Sequence, residues 1–237
     1  MSADCVLAAD VAGPALTLAR FAPDPTGLRL EAARTLVIDQ PAALAAAAGA
    51  GLRALAGGRP ILGLGLSANG AMDPAGRRMV AGPPNLAPLK DAAFPAQLAA
   101  ELGGPVRLVN RAQAALIGAA VRGQVSGSGT LGLLIIDFEC GVAIWKNGRL
   151  WQPNRRPPAL GELQTPAGAY DQLLNIAGLT GADQPPPARR AEDVPARRET
   201  YLAHLAQCVA NLARLYFIDT VLIAGRLVAA AAAAGVD

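Results

Sequence analysis

Apolar residues alternate with polar or small ones through residues 6–38, VLAADVAGPALTLARFAPDPTGLRLEAARTLVI, and turn residues interrupt the run at DVAGP and APDPTG. That pattern predicts three successive strands. Residues 41–57 lose the alternation and predict a helix. PILGLGLS (60–67) is a short buried strand, and NGAMDPAGRR (69–78) is a turn-rich connection. A helix over 94–102, a strand over 105–110 and a helix over 111–122 follow. The small residues GQVSGSG (123–129) then form a hinge. A second block opens with LGLLIIDF and GVAIWKNGRLW, a hairpin whose turn is Asn147-Gly148. Helical patterns lie near 168–178 and 198–216 with a proline-rich loop between them. DTVLIAG (219–225) is a buried strand, and an alanine-rich helix ends the chain. Strands alternating with helices predict an α/β fold with a mainly parallel sheet. The second block partly echoes the first. Two related lobes, 1–122 and 123–237, with a cleft between them are therefore expected.

Composition narrows the class. Of the 237 residues 52% are hydrophobic but only 4% are aromatic, so the core must be built from small aliphatic side chains. The alanine-rich runs at 43–48 and 229–234 fit closely packed helices. No purely apolar stretch of about 18 residues exists to span a membrane, and the N-terminus has no basic-then-apolar leader pattern. Cys5, Cys140 and Cys208 are widely spaced in sequence and fit neither a disulfide framework nor a zinc site, which favours a cytoplasmic, reducing setting. The net charge is only +3. Arginines gather at 154–158 and 188–199, but the second cluster is interleaved with Glu192, Asp193 and Glu199 and has no aromatics. A solvated linker is expected there, not a nucleic-acid surface. The single histidine, His204, lies in a predicted helix and has no partner set for catalysis.

Four segments in order carry a family resemblance. GLGLSANGAMDPAGRRMVAGPPNLAPLKD (63–91) is similar to G-x-G-V-S-x-P-G-x-V-D-P followed by N-x-P-N-L. FPAQLAAELGGPVRLVNRAQAALIGA (94–119) is similar to a helix, a strand and V-x-N-D-A-N-A-A-A-x-G. GELQTP (161–166) resembles G-E-x-G-H-T-P, and DTVLIAGRLVAA (219–230) resembles a late strand with its V-I-x-G-G-G-x turn. Together they resemble the ROK sugar kinases (repressors, open reading frames and kinases). The resemblance spans nearly the whole chain. It implies the two-lobed, ribonuclease H-like fold of the actin-like ATPase superfamily, with sugar, Mg-ATP and zinc as the family's ligands.

The departures from that pattern fall on the chemistry. The family's general base is the aspartate after the motif asparagine; here that position is Arg111. A guanidinium stays protonated and cannot accept a proton, and losing a general base typically costs about 10²–10⁴ in rate. The first phosphate loop, D-x-G-G-T in the family, reads DVAGPA. Asp10 and Gly13 remain, Ala12 adds a Cβ, and Pro14 removes both a hydroxyl and an N–H. The second loop, G-T-G-I-G-x-G, aligns on DFECGVA, where only Gly141 matches. Asp137 and Glu139 would face a polyphosphate there. Like charges about 4 Å apart repel by roughly 1 kcal/mol in water and about 4 in a partly screened site. Glycine loops instead offer N–H groups to anions. Arg226 adds bulk to the adenosine-side turn. The zinc motif C-x-C-G-x-x-G-C has no counterpart, its place being taken by the loop at 184–198, and the zinc-ligating histidine aligns with Gln164. The chain ends one helix past VLIAG, so the second lobe is expected to be shortened.

The sugar side keeps more. Asn85, Asn110 and Glu162 match the family's contacts to sugar hydroxyls, for which amides and carboxylates are suited. Each also has a plain structural reading: an Asx turn at Asn85, a helix cap at Asn110, an exposed loop carboxylate at Glu162. Arg111 is either an exposed first-turn residue or an anion contact. The turn at 67–70 and the tryptophans Trp145 and Trp151 read as structural, with a ligand role as the alternative. The expectation is a degenerate homologue without kinase activity, acting as a ligand-binding, regulatory or interaction module for a sugar or acidic small molecule. Vestigial phosphate loops at Asp10, Gly13, Asp137, Glu139 and Gly141 imply no cofactor and no zinc. An active hexose kinase using Mg-ATP and a substitute base is the alternative. The resemblance implies a homodimer or a partner protein. Neither a nucleic acid nor a membrane is expected as a partner. A sugar-responsive repressor is disfavoured, because no helix-turn-helix pattern precedes the first strand.

Overall fold

The alternating run at the start of the chain forms β1 (Cys5–Ala12), β2 (Ala15–Asp24) and β3 (Gly27–Val37). They belong to a computed structural model that describes residues 4–25, 27–123, 125, 129–137, 140–152, 160–174, 194–225 and 228. Glu139, Arg226, the arginines of 154–158, most of the 184–198 loop and the alanine-rich run 229–234 lie outside the described residues. Gly13, at φ 61, and Pro14 turn β1 back onto β2. After β3 come α1 (Leu44–Ala56), β4 (Ile61–Ala68), a small hairpin of β5 (Ala71–Met72) and β6 (Met79–Ala81), and α2 (Ala93–Leu102). β7 (Val106–Asn110) runs directly into α3 (Arg111–Val121). The sheet order is β3-β2-β1-β4-β7.

The second half holds β8 (Leu131–Ile136), β9 (Cys140–Lys146) and β10 (Arg149–Trp151). A minor hairpin of β11 (Gln164–Thr165) and β12 (Gly168–Ala169) precedes α4 (Tyr170–Leu173). The long α5 (Val194–Tyr216) and β13 (Thr220–Ala224) complete this half, whose main sheet is ordered β10-β9-β8-β13. The chain divides into two compact units, Met1–Ala114 and Ala115–Asp237.

The sheets are mixed, not mainly parallel as the sequence pattern suggested. β1/β2, β2/β3, β8/β9 and β9/β10 are antiparallel, and β1/β4, β4/β7 and β8/β13 are parallel. The reason is connection length. Strands joined by a few turn residues must reverse, and only those separated by a helix can return parallel. The Asn-Gly turn joins β9 to β10, with φ of 53 at Asn147 and 75 at Gly148, the left-handed pair a tight hairpin requires.

Small side chains set the packing of the first unit. Leu7, Leu16, Leu18, Leu52 and Leu66 are fully buried, with Phe94 the aromatic among them. At Gly51 on α1 an added Cβ would lie 2.2 Å from a Leu18 methyl, so the glycine lets the helix sit directly on β2. Glu31 on β3 collects Arg20, Arg29 and Arg59. The bond from Arg59, then the charges of the three arginines, hold its carboxyl below the usual range.

In the second unit Leu134, Ile136, Val142, Ile144, Cys208 and Leu212 surround the fully buried Tyr170. The Tyr170 hydroxyl accepts from Asn211 Nδ2 at 2.9 Å. Trp151 meets the Tyr216 ring edge-on at 5.6 Å, and both pack, partly buried, against this cluster. Cys140 and Cys208, separated in sequence, lie near one another in the second unit; the neighbouring Cys208 thiol, then burial, push the Cys140 thiol up. All three cysteines are free. Asp171 Oδ1 accepts from the Cys140 N–H at 2.6 Å, yet desolvation outweighs this bond and raises its carboxyl.

Phe217, 80% exposed, ends α5 at φ 53, and the Ile218 N–H bonds Ala213 O at 3.0 Å, a closure that ordinarily uses glycine. Phe217→Gly should raise the unfolding free energy by about 1 kcal/mol, the usual cost of a left-handed non-glycine residue, read from urea denaturation. Asp171 holds its proton more tightly folded than unfolded, so it stabilises the fold at low pH. That contribution is lost as pH rises from its ordinary value of 3.8 through the raised folded one. Glu31 behaves oppositely, losing its contribution as pH falls below 4.5. In a pH 3–7 denaturation series, Asp171→Asn should therefore gain stability relative to the native chain as pH rises. A difference independent of pH would contradict the assignment.

Candidate functional site

Three parallel strands of the first unit, β1, β4 and β7, end on one edge, and the last polar residues of each meet there. Asp10 is the register partner of Ser67, and Ala68 is the partner of Asn110. Ligand sites of open α/β sheets lie beyond such carboxyl ends. The neighbouring strands thus place Asp10, Ser67, Asn110 and Arg111 within reach of one another without any long loop.

Each side chain is engaged. Ser67, 9% exposed, donates its hydroxyl to Asp10 Oδ1. Arg111 Nε donates to Asp10 Oδ2 at 3.2 Å. The arginine side chain is 18% exposed and the aspartate 34%, so the pair is partly shielded from water. Asn110 is 7% exposed, and its Oδ1 accepts from the N–H groups of Ala112 and Gln113, capping α3. Its Nδ2 donates to Gly70 O at 2.8 Å. Gly70 has φ 125, and a Cβ there would lie 2.5 Å from Ala81 O, so this close turn needs glycine. Ser67 lies within β4, one residue before its end, and is a partner of Asp10, not a member of a free turn. Arg111 is a clamp on Asp10, not an exposed first-turn residue.

Asn85 and Gly13 are not among those contacts; they line, with Val11 beside Asp10, a pocket of 230 Å³. Its walls are Gly13 and Pro14 from the β1–β2 turn, Ile38, Leu44, Leu86, and the polar Asp39 and Asn85. Asn85 is exposed on the 3-10 segment Pro84–Lys90. Pro14 offers no N–H, and its carbonyl accepts from Ile38 N at 2.7 Å. A carboxylate, an amide and a proline suit hydroxyl groups better than a phosphate.

The remaining candidates belong to the second unit. Asp137 is 1% exposed, and Cys140 and Gly141 form the start of β9. Glu162 is exposed on the 3-10 turn Leu160–Glu162 and raises the Asp171 carboxyl by its charge. Gln164 lies in β11. Gly225 has φ 125, and a Cβ there would clash with Ile136 O at 2.1 Å. His204 is half-buried on α5. Among the described residues no group of three His, Cys, Asp or Glu side chains is placed to hold a metal.

Gln113 escaped the sequence reading. It is 4% exposed, and its Nε2 has no hydrogen-bond partner among the described residues. The signal was available: a polar residue two places after Arg111 in an otherwise apolar helix.

Arg111→Ala should cost about 1–2 kcal/mol, between an exposed ion pair and a buried one. A double-mutant cycle with Asp10→Asn, read by urea denaturation, should show coupling; strictly additive losses would mean that the contact contributes nothing.

No family model and no curated protein matches the chain. Solved structures do. The Lmo2764 protein of Listeria monocytogenes superposes with a TM-score of 0.79 at 17% identity, covering 98% of this chain and 87% of that one. A ROK family protein of Streptococcus pneumoniae in complex with sucrose gives 0.73 at 16%, covering 94% and 81%. A ROK family glucokinase of Streptomyces griseus in complex with glucose and AMPPNP gives 0.70 at 16%, covering 94% and 83%. This chain therefore shares the α/β fold of these ROK sugar-kinase-like structures.

Proposed function

We propose that this protein is a degenerate member of the ROK group that binds a sugar or related polyol without phosphorylating it, and serves as a regulatory or interaction module. The observation that carries the reading is the Asp10–Arg111 pair. Arg111 stands where the resemblance calls for a general base. It cannot accept a proton, and it occupies the one carboxylate that the first phosphate loop retains. Ser67 engages the other oxygen of Asp10, so Mg-ATP would have to break both contacts. Asp39 and Asn85 supply an acceptor and an amide suited to hydroxyls in the neighbouring pocket. The Asp39 carboxylate disfavours an acidic ligand there. No zinc and no nucleotide are required by this reading. No helix among the described residues is long and apolar enough to cross a membrane.

The second reading is an ATP-dependent hexose kinase with a substitute base. Its support is the fold shared with a glucokinase solved with glucose and AMPPNP. Phosphoryl transfer rests mainly on positioning and charge stabilisation, so a missing base alone is survivable.

Calorimetric titration with Mg-ATP, alone and with glucose, N-acetylmannosamine or sucrose, separates the two. The expected result is no saturable ATP heat at millimolar concentration and no sugar phosphate formed. One of the sugars should bind, and Asn85→Ala should abolish that heat. Micromolar Mg-ATP binding with sugar phosphorylation, raised further by Arg111→Asp, would overturn the proposal in favour of a kinase.

A further inference from the structure

Helix α2, AFPAQLAAEL, is apolar on more of its surface than the core uses. Phe94, Leu98 and Leu102 point into the first unit's core. Pro95, Ala96 and Ala99, with Ala92 just before the helix, line instead a separate pocket of 580 Å³ whose floor is completed by Val106 of β7. That volume lies within the roughly 300–1,000 Å³ usual for small-molecule sites. The small side chains leave the space open, since any larger residue at 96 or 99 would fill it.

The rim is made by the turn between β5 and β6, which brings Asp73, Arg77 and Arg78 to the pocket. The turn is tied down. Asp73 Oδ1 accepts from the N–H groups of Arg77 and Arg78, and Asp73 N donates to Arg78 O at 2.9 Å. Leu108 N donates to Gly76 O at 2.8 Å, fastening the turn to the edge of the sheet. Gly76 is needed there: an added Cβ would lie 2.7 Å from both Leu108 O and Arg107 Cγ. The fixed turn presents two adjacent guanidinium groups. Asp73 reaches Arg77 only at 3.8 Å, and no carboxylate pairs with Arg78 among the described residues. One carboxylate facing two guanidinium groups leaves the rim positive.

We propose that this pocket is a binding site for a small amphipathic anion, with an acyl or aryl body on the alanine floor and a carboxylate or phosphate head against Arg77 and Arg78. Arginine suits both heads, since its planar fork pairs with either in a bidentate manner. An apolar cavity with a few convergent polar groups is the general form of a small-ligand site. None of its lining residues lines the Asn85 pocket, and the site does not depend on the sugar-binding proposal.

Octanoate, octyl phosphate and octanol, titrated calorimetrically into the full chain, test it. At least one of the anions should bind saturably, and comparison of octanoate with octyl phosphate identifies the preferred head. Octanol, which lacks the charge, should bind about tenfold more weakly or worse, as should the anion to an Arg77→Ala/Arg78→Ala double variant. Ala96→Phe should abolish binding by filling the floor. Both arginines and Ala96 are exposed, so the variants should keep the native melting midpoint. Asn85→Ala should leave the affinity unchanged, separating this site from the sugar pocket. Equal binding of octanol and octanoate, unchanged affinity in the double arginine variant, or no saturable binding of either anion would overturn the assignment.

Discussion

The parallel alignment of β1, β4 and β7 is the constraint from which the first unit's chemistry follows. Hydrogen bonding in register forces the three strands to end together. The polar residues nearest those ends, Asp10, Ser67 and Asn110, are then neighbours whatever their sequence separation. Arg111 follows as the first residue of α3, and the Asn110 cap fixes the direction in which that helix leaves the strand. A carboxylate at the end of β1 beside a cation at the start of α3 forms an ion pair. The same geometry with an acid at position 111 would have held two like charges. The fold therefore dictates that residues 10 and 111 interact, and the side chains decide the sign.

This charge arrangement bears on evolution as well as chemistry. Pairing Arg111 with Asp10 at the carboxyl ends of these strands stabilises the sheet with groups that a phosphate-transferring enzyme would leave open. Enzyme sites commonly hold like charges or unpaired polar groups at a cost in stability. Here Asp10 is satisfied at both oxygens. Gln113, two residues after Arg111 and buried, keeps an unsatisfied donor at Nε2 among the described residues, as Arg34 does at Nε.

Packing of both units reflects the scarcity of aromatics. Gly51 brings α1 onto β2, and Gly225 fits against the backbone of Ile136, so close approach of backbone replaces bulky side chains in filling space. The same economy on α2 leaves a surface of small residues that the core does not need. The arginine-bearing turn at 73–78 is pinned beside it by its own carboxylate and by the sheet edge.

Much of the architecture was legible in the sequence, because period-two and helical patterns are local and Gly, Pro and Asn-Gly mark the turns. The three opening strands, α1, β4, α2, β7, α3 and β13 lie where the patterns placed them. Strand direction was misjudged, since it depends on how short connections constrain chain reversal and not on periodicity. The identity of Arg111 was plain from the sequence, as was its incompatibility with a base. Its partner was not: Asp10 lies 101 residues away, and only the register of three strands brings it within 3.2 Å. The nearness of Cys140 to Cys208 and the pocket that the 73–78 turn shares with α2 are of the same kind. Sequence determined the elements and their chemical endowment through local preference; tertiary structure decided which charges and polar groups became partners, because that depends on distances set by sheet pairing and helix packing.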